Sequence, residues 1–274
     1  ESPAETVVRQ YHKYLGGWAL HPFWAMGHHQ SRWGFKNVDQ MSWVLGNYSS
    51  HNIPLDVIWS DIDYMEKYVD FTIDQKNFNP TKMNEMLQKY KKRWVPIIDA
   101  GIAIHNNPLY DLAVEKQIFV RDPNGTYLLG EVWPGDVHFP DFFHPNTSEY
   151  WQYGLSQLYK QVPFSGIWLD MNEVSNFVAG EKHWTPSKDD ILNNPPYNPA
   201  LPGQHIYTRT MRMDALHYGN ITEYNAHSTF GFLESLATYE YLKTLSPLTF
   251  ILSRSTFYGS GQVASHWTGD NFAS

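Results

Sequence analysis

The chain contains no cysteine, so it has neither disulfides nor thiolate metal sites, and cysteine usage leaves its redox compartment open. It also lacks any apolar stretch of membrane-spanning length. Positive charge is in deficit: Lys+Arg 20 stand against Asp+Glu 28, a net charge of -8, and the basic residues form no run. A phosphate backbone would be repelled more than attracted, which argues against nucleic acid as a partner. The sequence has no HExxH helix pair and no Gly-x-Ser-x-Gly elbow, so the zinc-peptidase and serine-hydrolase signatures are missing. His28 and His29 are adjacent, and neighbours on an extended chain point to opposite faces, so they do not chelate one ion together. No metal and no cofactor is expected.

What is present in quantity is aromatic. With 42% hydrophobic residues the chain can bury a full single core, and 16% of it is aromatic, including 11 Trp and 18 Tyr. Most of these rings must fill core; the same flat faces also stack on the CH surfaces of sugars. Asn-x-Ser/Thr acceptor sequons begin at Asn47, Asn124, Asn146 and Asn220, in polar or turn-like contexts, and four together point to the secretory route, whether extracellular, lysosomal or vacuolar.

The pattern along the chain alternates. Ser2-Pro3-Ala4-Glu5 reads as a capping box with Pro at the first helical position, and Gly16-Gly17 closes that helix. Residues 23–27 then read as a buried strand, followed by a helix through Val38, Met41, Val44, Leu45 and Tyr48. A second strand over 55–61 precedes a helix around Met83, Met86, Leu87 and Tyr90. A third, over 94–99, precedes a long insertion and a helix through Tyr150, Leu155 and Leu158. Gly166 to Asp170 is the fourth strand, and then Pro186, Pro195, Pro196, Pro199 and Pro202 crowd a stretch that can be neither regular helix nor central strand. A helix through Phe232, Leu236, Tyr239 and Leu242, a fifth strand over 249–254 and a sixth ending near Asp270 complete the chain.

Strands alternating with helices predict a parallel α/β sheet, and the lack of a glycine-rich phosphate turn after the first strand favours a (β/α)8 TIM barrel over a dinucleotide-binding fold. Such a barrel closes with eight strands, so six read as part of a larger protein whose last strands come from further sequence or a companion chain. The expected organisation is a lead-in helix over 1–22, coming from a β-rich domain that would precede it, and the barrel over 23–274, with insertions near 103–143 and 172–226.

Two carboxylates stand out. Asp170 follows the apolar run Gly166-Ile167-Trp168-Leu169, and Asp270 follows His266-Trp267-Thr268-Gly269. Cleaving an acetal through an oxocarbenium-like transition state needs one acid to protonate the leaving oxygen and one carboxylate across the sugar; spacing near 5–5.5 Å retains configuration and near 6.5–9.5 Å inverts it. A lone Asp after an apolar run is far more often a loop or cap residue, and Glu173 reads as a carboxylate bonding loop backbone.

Gly166 to Phe177 resembles the nucleophile signature of glycoside hydrolase family 31, and Ser253-Arg254-Ser255-Thr256-Phe257 with His266 to Asp270 resembles its acid/base region. Further blocks follow in family order: Trp59 to Met65, Asp70-Phe71-Thr72, Gly130 to Gly135 and Phe139 to Phe142. The resemblance implies a retaining mechanism with Asp170 as nucleophile and Asp270 as acid/base. It further implies that Asp61 accepts sugar hydroxyls, that Arg254 donates near Asp270, that Met171 packs beside the ring, and that Ile102, Trp133, Trp168 and Trp267 wall the pocket. The substrate would be an α-linked oligosaccharide, cut from its end by an α-glucosidase, with an α-xylosidase or a silent carbohydrate-binding or assembly fragment as the alternatives. His29-Gln30-Ser31 and Asp99-Ala100-Gly101 depart from the commonest family spellings and bear on fine substrate preference. Asp170 should stay ionised while its charge raises Asp270.

Overall fold

The computed structural model describes residues 2–199 and 205–271. Helix α1 (Pro3–Leu15) opens with the capping box: Ser2 Oγ accepts from the Glu5 amide at 3.2 Å and the Ser2 amide donates to Glu5 Oε2 at 2.7 Å. It closes on Gly16 at φ 84°, left-handed backbone that glycine adopts without strain. None of its residues is buried.

The first strand is not where the apolar run placed it. Phe23–Met26 forms a 3-10 turn behind Pro22, and its Phe23 is 93% exposed, so the run is no buried strand. Strand β1 is His29–Gln30, paired in parallel with residues 57 and 58. Gly27 sets this turn: a Cβ there would stand 2.0 Å from the Asp56 carboxylate, which itself accepts from the His28 amide at 3.1 Å.

From that point sequence and structure agree. Helix α2 (Val38–Ser50), capped by Asn37, leads to β2 (Val57–Ser60); α3 (Pro80–Tyr90), capped by Asn79, leads to β3 (Arg93–Ile98). The insertion after β3 holds β4 (Ile102–Ala103), α4 (Tyr110–Glu115), β5 (Leu129–Val132) and β6 (Gly135–His138), and its three strands form an antiparallel sheet in the order β4-β6-β5. Helix α5 (Thr147–Gln161) precedes β7 (Ile167–Leu169). The second insertion contains the antiparallel pair β8 (Leu216–His217) and β9 (Ile221–Thr222) and the short α6 (Glu223–Ala226). Helix α7 (Phe230–Leu245), β10 (Ile251–Ser253) and β11 (Ser265–His266) follow.

The central sheet has the order β1-β2-β3-β7-β10-β11 with every pair parallel, six consecutive staves of a TIM barrel. Side chains alternate across it as strand geometry requires. Val57, Trp59, Val95 and Phe250, with the partly buried Trp168 and Leu252, cluster on one face. Ile58, Ile167, Leu169 and Ile251 join the helix-packed core, together with Trp94 and Trp151. Both of those indoles are buried with their N–H satisfied, Trp94 by Ser60 Oγ at 2.9 Å and Trp151 by Thr238 Oγ1 at 2.8 Å.

Candidate active site

Register decides which polar residues meet. Leu169 pairs with Ile98 on one side and with Ser253 on the other, so the next residue of each strand, Asp99, Asp170 and Arg254, emerges at the same level of the sheet. The pairing runs on into them: the Asp170 amide donates to Ile98 O and the Arg254 amide to Leu169 O, each at 3.1 Å. Asp61 leaves β2 at the same end, and Asp270 lies beyond the end of β11. In a parallel sheet the residues following the strands share one edge, where catalytic groups of such barrels gather.

At the centre, Arg254 Nη1 lies 2.9 Å from Asp170 Oδ1. The approach is off the hydrogen-bond line, so this buried oxygen has no hydrogen-bond partner. Arg254 instead spends its fork on Glu173, with Nε to Oε1 at 2.8 Å and Nη2 to Oε2 at 3.1 Å. Glu173 therefore holds the arginine rather than loop backbone, which corrects the sequence reading. Burial pushes Asp170 up to about 6; Arg254 and the Met171 amide pull against this, and the charges of Glu173 and Asp270 add to it. The sequence reading keeps Asp170 ionised beside Asp270; its side chain is 15% exposed, and that burial works against the ionised form. Met171 turns the chain immediately afterwards at φ 56°, a left-handed conformation that costs a non-glycine residue about 1 kcal/mol or more.

Asp61 accepts from the Ile62 amide at 2.7 Å, and burial, with help from Asp63 and Asp270, raises it. Asp270 is exposed, yet its charge acts on both Asp170 and Asp61. Trp168 sits between Trp59 and Trp267, ring centroids 5.7 Å away in both cases, so it is at once sheet interior and the neighbour of the last stave's tryptophan. Trp133 is 40% exposed among Trp33, Tyr68 and Phe177, on a cavity of about 570 Å³ that Asp63 also lines. Met171 is buried in the core of the first insertion. The Trp133 cavity is lined by neither Asp170 nor Arg254, and Ile102 has no exposed surface and pairs with His138 inside the insertion's sheet, so the structure does not bring Trp133 or Ile102 against the central pair.

Sequence reasoning noted Asp99 only as part of an unusual spelling and gave it no place in the site. It is 3% exposed, its Oδ1 has no hydrogen-bond partner, and its amide donates to Asp70 Oδ1 at 3.0 Å. Burial drives both carboxyls well above the usual range, and the charges of Asp70, Asp170 and Asp61 add to the effect on Asp99. The signal was available, since Asp99 ends an apolar strand in the same manner as Asp61 and Asp170. Among the described residues no group of three or more His, Asp or Glu side chains is arranged to hold a metal ion. Convergent carboxylates with one arginine and stacked indoles suit a neutral, hydroxyl-rich ligand.

The family model described as the TIM-barrel domain of glycosyl hydrolases family 31 matches residues 18–274. A probable alpha-glucosidase of Oryza sativa subsp. japonica is 41% identical over 274 residues, covering 97% of this chain and 30% of that protein. Alpha-xylosidase 1 of Arabidopsis thaliana is 38% identical over 292 residues, covering 97% of this chain and 32% of that protein. Among solved structures, an ER glucosidase II heterodimer, comprising its catalytic subunit and the binding domain of its regulatory subunit, superposes with a TM-score of 0.78 at 30% identity, over 94% of this chain and 26% of that one. The chain thus spans about a third or less of the proteins it resembles.

Proposed function

The chain belongs to glycosyl hydrolase family 31, and from that membership we propose that it carries the central catalytic part of a retaining, exo-acting α-glucosidase that removes terminal glucose from maltooligosaccharides or starch fragments. Residues 23–274 form the barrel part in this reading and 1–22 the lead-in. The observation that carries the proposal is the level emergence of Asp170 and Arg254 from neighbouring staves, with the charge of Asp270 acting on Asp170.

Asp170, ionised above about pH 6, attacks the anomeric carbon while Asp270 gives its proton to the departing oxygen, leaving a covalent glycosyl ester on Asp170. Asp270, now a carboxylate, takes a proton from the water that attacks the same carbon from the face the leaving group vacated, and Asp170 departs. Two inversions retain configuration. Arg254, tied to Glu173, keeps a guanidinium beside the nucleophile, where it favours the ionised form and steadies charge as the ester forms and breaks. Asp61 accepts hydroxyls of the bound sugar, Trp168 and Trp267 supply apolar wall, and Trp133 lines the approach. No cofactor enters the scheme.

The secretory route is supported by sequons whose Asn124 and Asn220 are exposed, and by the endoplasmic reticulum named for the structural neighbour. That neighbour's regulatory subunit also makes a companion chain a reasonable partner here. An α-xylosidase is the second reading, favoured by the Arabidopsis relative. The test is mass-spectrometric trapping with a fluorinated α-glucosyl fluoride in the full-length protein. Label on Asp170 and a first-formed product of α configuration are expected; label on another residue, or a β product, overturns the mechanism. Faster turnover of an aryl α-xyloside than of the glucoside selects the second reading.

A further inference from the structure

The loop that follows the nucleophile is fastened to the Arg254 strand end by one side chain that the mechanism above does not use. Asn172 is fully buried, as is Ser253. Asn172 Nδ2 donates to Ser253 Oγ at 2.8 Å, and its Oδ1 accepts from the Ser255 amide at 2.8 Å, so a single carboxamide grips the residues on both sides of Arg254. Ser253 Oγ in turn donates to the Ser255 carbonyl at 2.7 Å. The bonds close a ring in which each donor meets an acceptor. Asparagine suits it because one short side chain must supply both roles. Turned over, the carboxamide would set its own N–H groups against the Ser255 N–H, and an aspartate would lack the donor and bury a charge. Helix α7 lies against the joined segments: a Cβ on its Gly231 would stand 2.7 Å from the Asn172 carbonyl and 2.7 Å from Ser255 Cβ.

We propose that Asn172 is a positioning residue: by holding Ser253 and Ser255, it fixes the nucleophile loop to the strand end from which Arg254 reaches Asp170. This role rests on the reading of Asp170 as nucleophile and deepens it. Asn172 directly precedes Glu173, whose carboxylate takes the Arg254 fork at 2.8 and 3.1 Å. One loop therefore holds Arg254 twice, through its flanking residues by Asn172 and at its guanidinium by Glu173. The fork joins two long, flexible side chains; the ring joins the segments that carry them. Together they keep Arg254 Nη1 2.9 Å from Asp170 Oδ1, an oxygen with no hydrogen bond of its own. Asn172 acts through Arg254 and touches no reacting atom.

The test sets Ser253→Ala beside Asn172→Ala in the full-length protein. The first removes the one hydroxyl through which the ring closes; the second removes the ring outright. Sites that form the covalent ester are counted with a fluorinated α-glucosyl fluoride, and turnover of an aryl α-glucoside is expressed per counted site. For Asn172→Ala, kcat per site should fall about tenfold to a hundredfold while KM stays within about threefold of the parent, and Ser253→Ala should move the same way by a smaller factor. Unchanged kcat per site, with only a lower melting temperature or fewer counted sites, would mean that the ring merely braces the fold, and overturns the proposal. If Asn172→Ala does not fold, Ser253→Ala decides alone. A second arm needs no turnover. The Arg254 side chain is 26% exposed, so an arginine-specific dione reaches it, and peptide mass spectrometry reads the labelling rate. Labelling should run about threefold faster or more in Ser253→Ala than in the parent, and an equal rate also overturns the proposal. Were the parent to carry the fluorosugar on another residue, the nucleophile reading would fail while the labelling rate still decided whether the ring restrains Arg254.

Discussion

The balance at Asp170 is unusual because its two largest influences oppose each other. Burial disfavours the carboxylate and Arg254 favours it; burial wins, and the group rises from 3.8 to about 6. An acid whose folded value lies above its unfolded one holds its proton more tightly in the native state between those values. Stability therefore falls as pH rises from about 4 to about 6 and stays reduced above. By 1.36 kcal/mol per unit, the ionised side chain costs the fold about 2–3 kcal/mol at neutral pH. Asp170→Asn should thus abolish turnover and raise the melting temperature at pH 7.5, with the gain vanishing near pH 4. A variant that is inactive and also less stable at pH 7.5 would remove the burial argument. For the parent, kcat/KM should fall below about pH 6, checked by a pH profile on an aryl α-glucoside.

Between elements, the strongest ties are tryptophans that bridge helices and carboxylates that bridge insertions. Trp151 of α5 is buried against Phe71 and Phe142 and donates to Thr238 of α7. Trp151→Ala should cost about 3–5 kcal/mol in denaturant unfolding, because it leaves a cavity and an unpaired hydroxyl. The second insertion depends on charge instead. Burial works against the His217 imidazolium, but Asp141 and Glu223 on its two nitrogens overcome it and push it up to about 9. A base raised on folding contributes stability that is complete below its unfolded value near 6.5 and is lost as pH climbs through 9. The melting temperature should therefore decline between pH 7 and pH 9.5, and His217→Gln should flatten that decline while lowering stability at pH 7. A parent melt independent of pH over that range would show that the clamp is not charged.

For the molecule as a whole, six parallel staves leave β1 and β11 paired on one side only among the described residues. Unpaired strand edges are templates for further pairing. Several apolar side chains of residues 18–26, a segment whose Ala19 and His21 bond Gly261 and Ser265 at the last stave, are also open to water, including Trp18, Leu20, Phe23 and Met26. The 274-residue chain expressed by itself should therefore associate with rising concentration and bind an apolar dye, measured by light scattering and dye fluorescence. A stable monomer over a hundredfold concentration range would show that these edges are tolerated.

Much of this architecture was written locally. Alternation of apolar residues, Asn and Ser caps, and aspartates that end apolar runs are properties of a few consecutive residues. They suffice to place the five longer helices, five of the six staves, and the candidates Asp170 and Asp270, whereas Asp61 entered only through the family resemblance. The first stave was misplaced because an apolar run does not by itself distinguish a buried strand from a turn, and Gly27 against Asp56 settled that only in three dimensions. The partners were likewise beyond the reach of spacing. Glu173 meets Arg254 across 81 residues and Asp141 meets His217 across 76, because parallel register and the folding back of two insertions bring them together. Ile102 was lost to a core that no local pattern reveals. Residue types and periods fix which chemistry is available; burial and register, which sum contributions from distant parts of the chain, decide which carboxylate is raised and which arginine stands beside it.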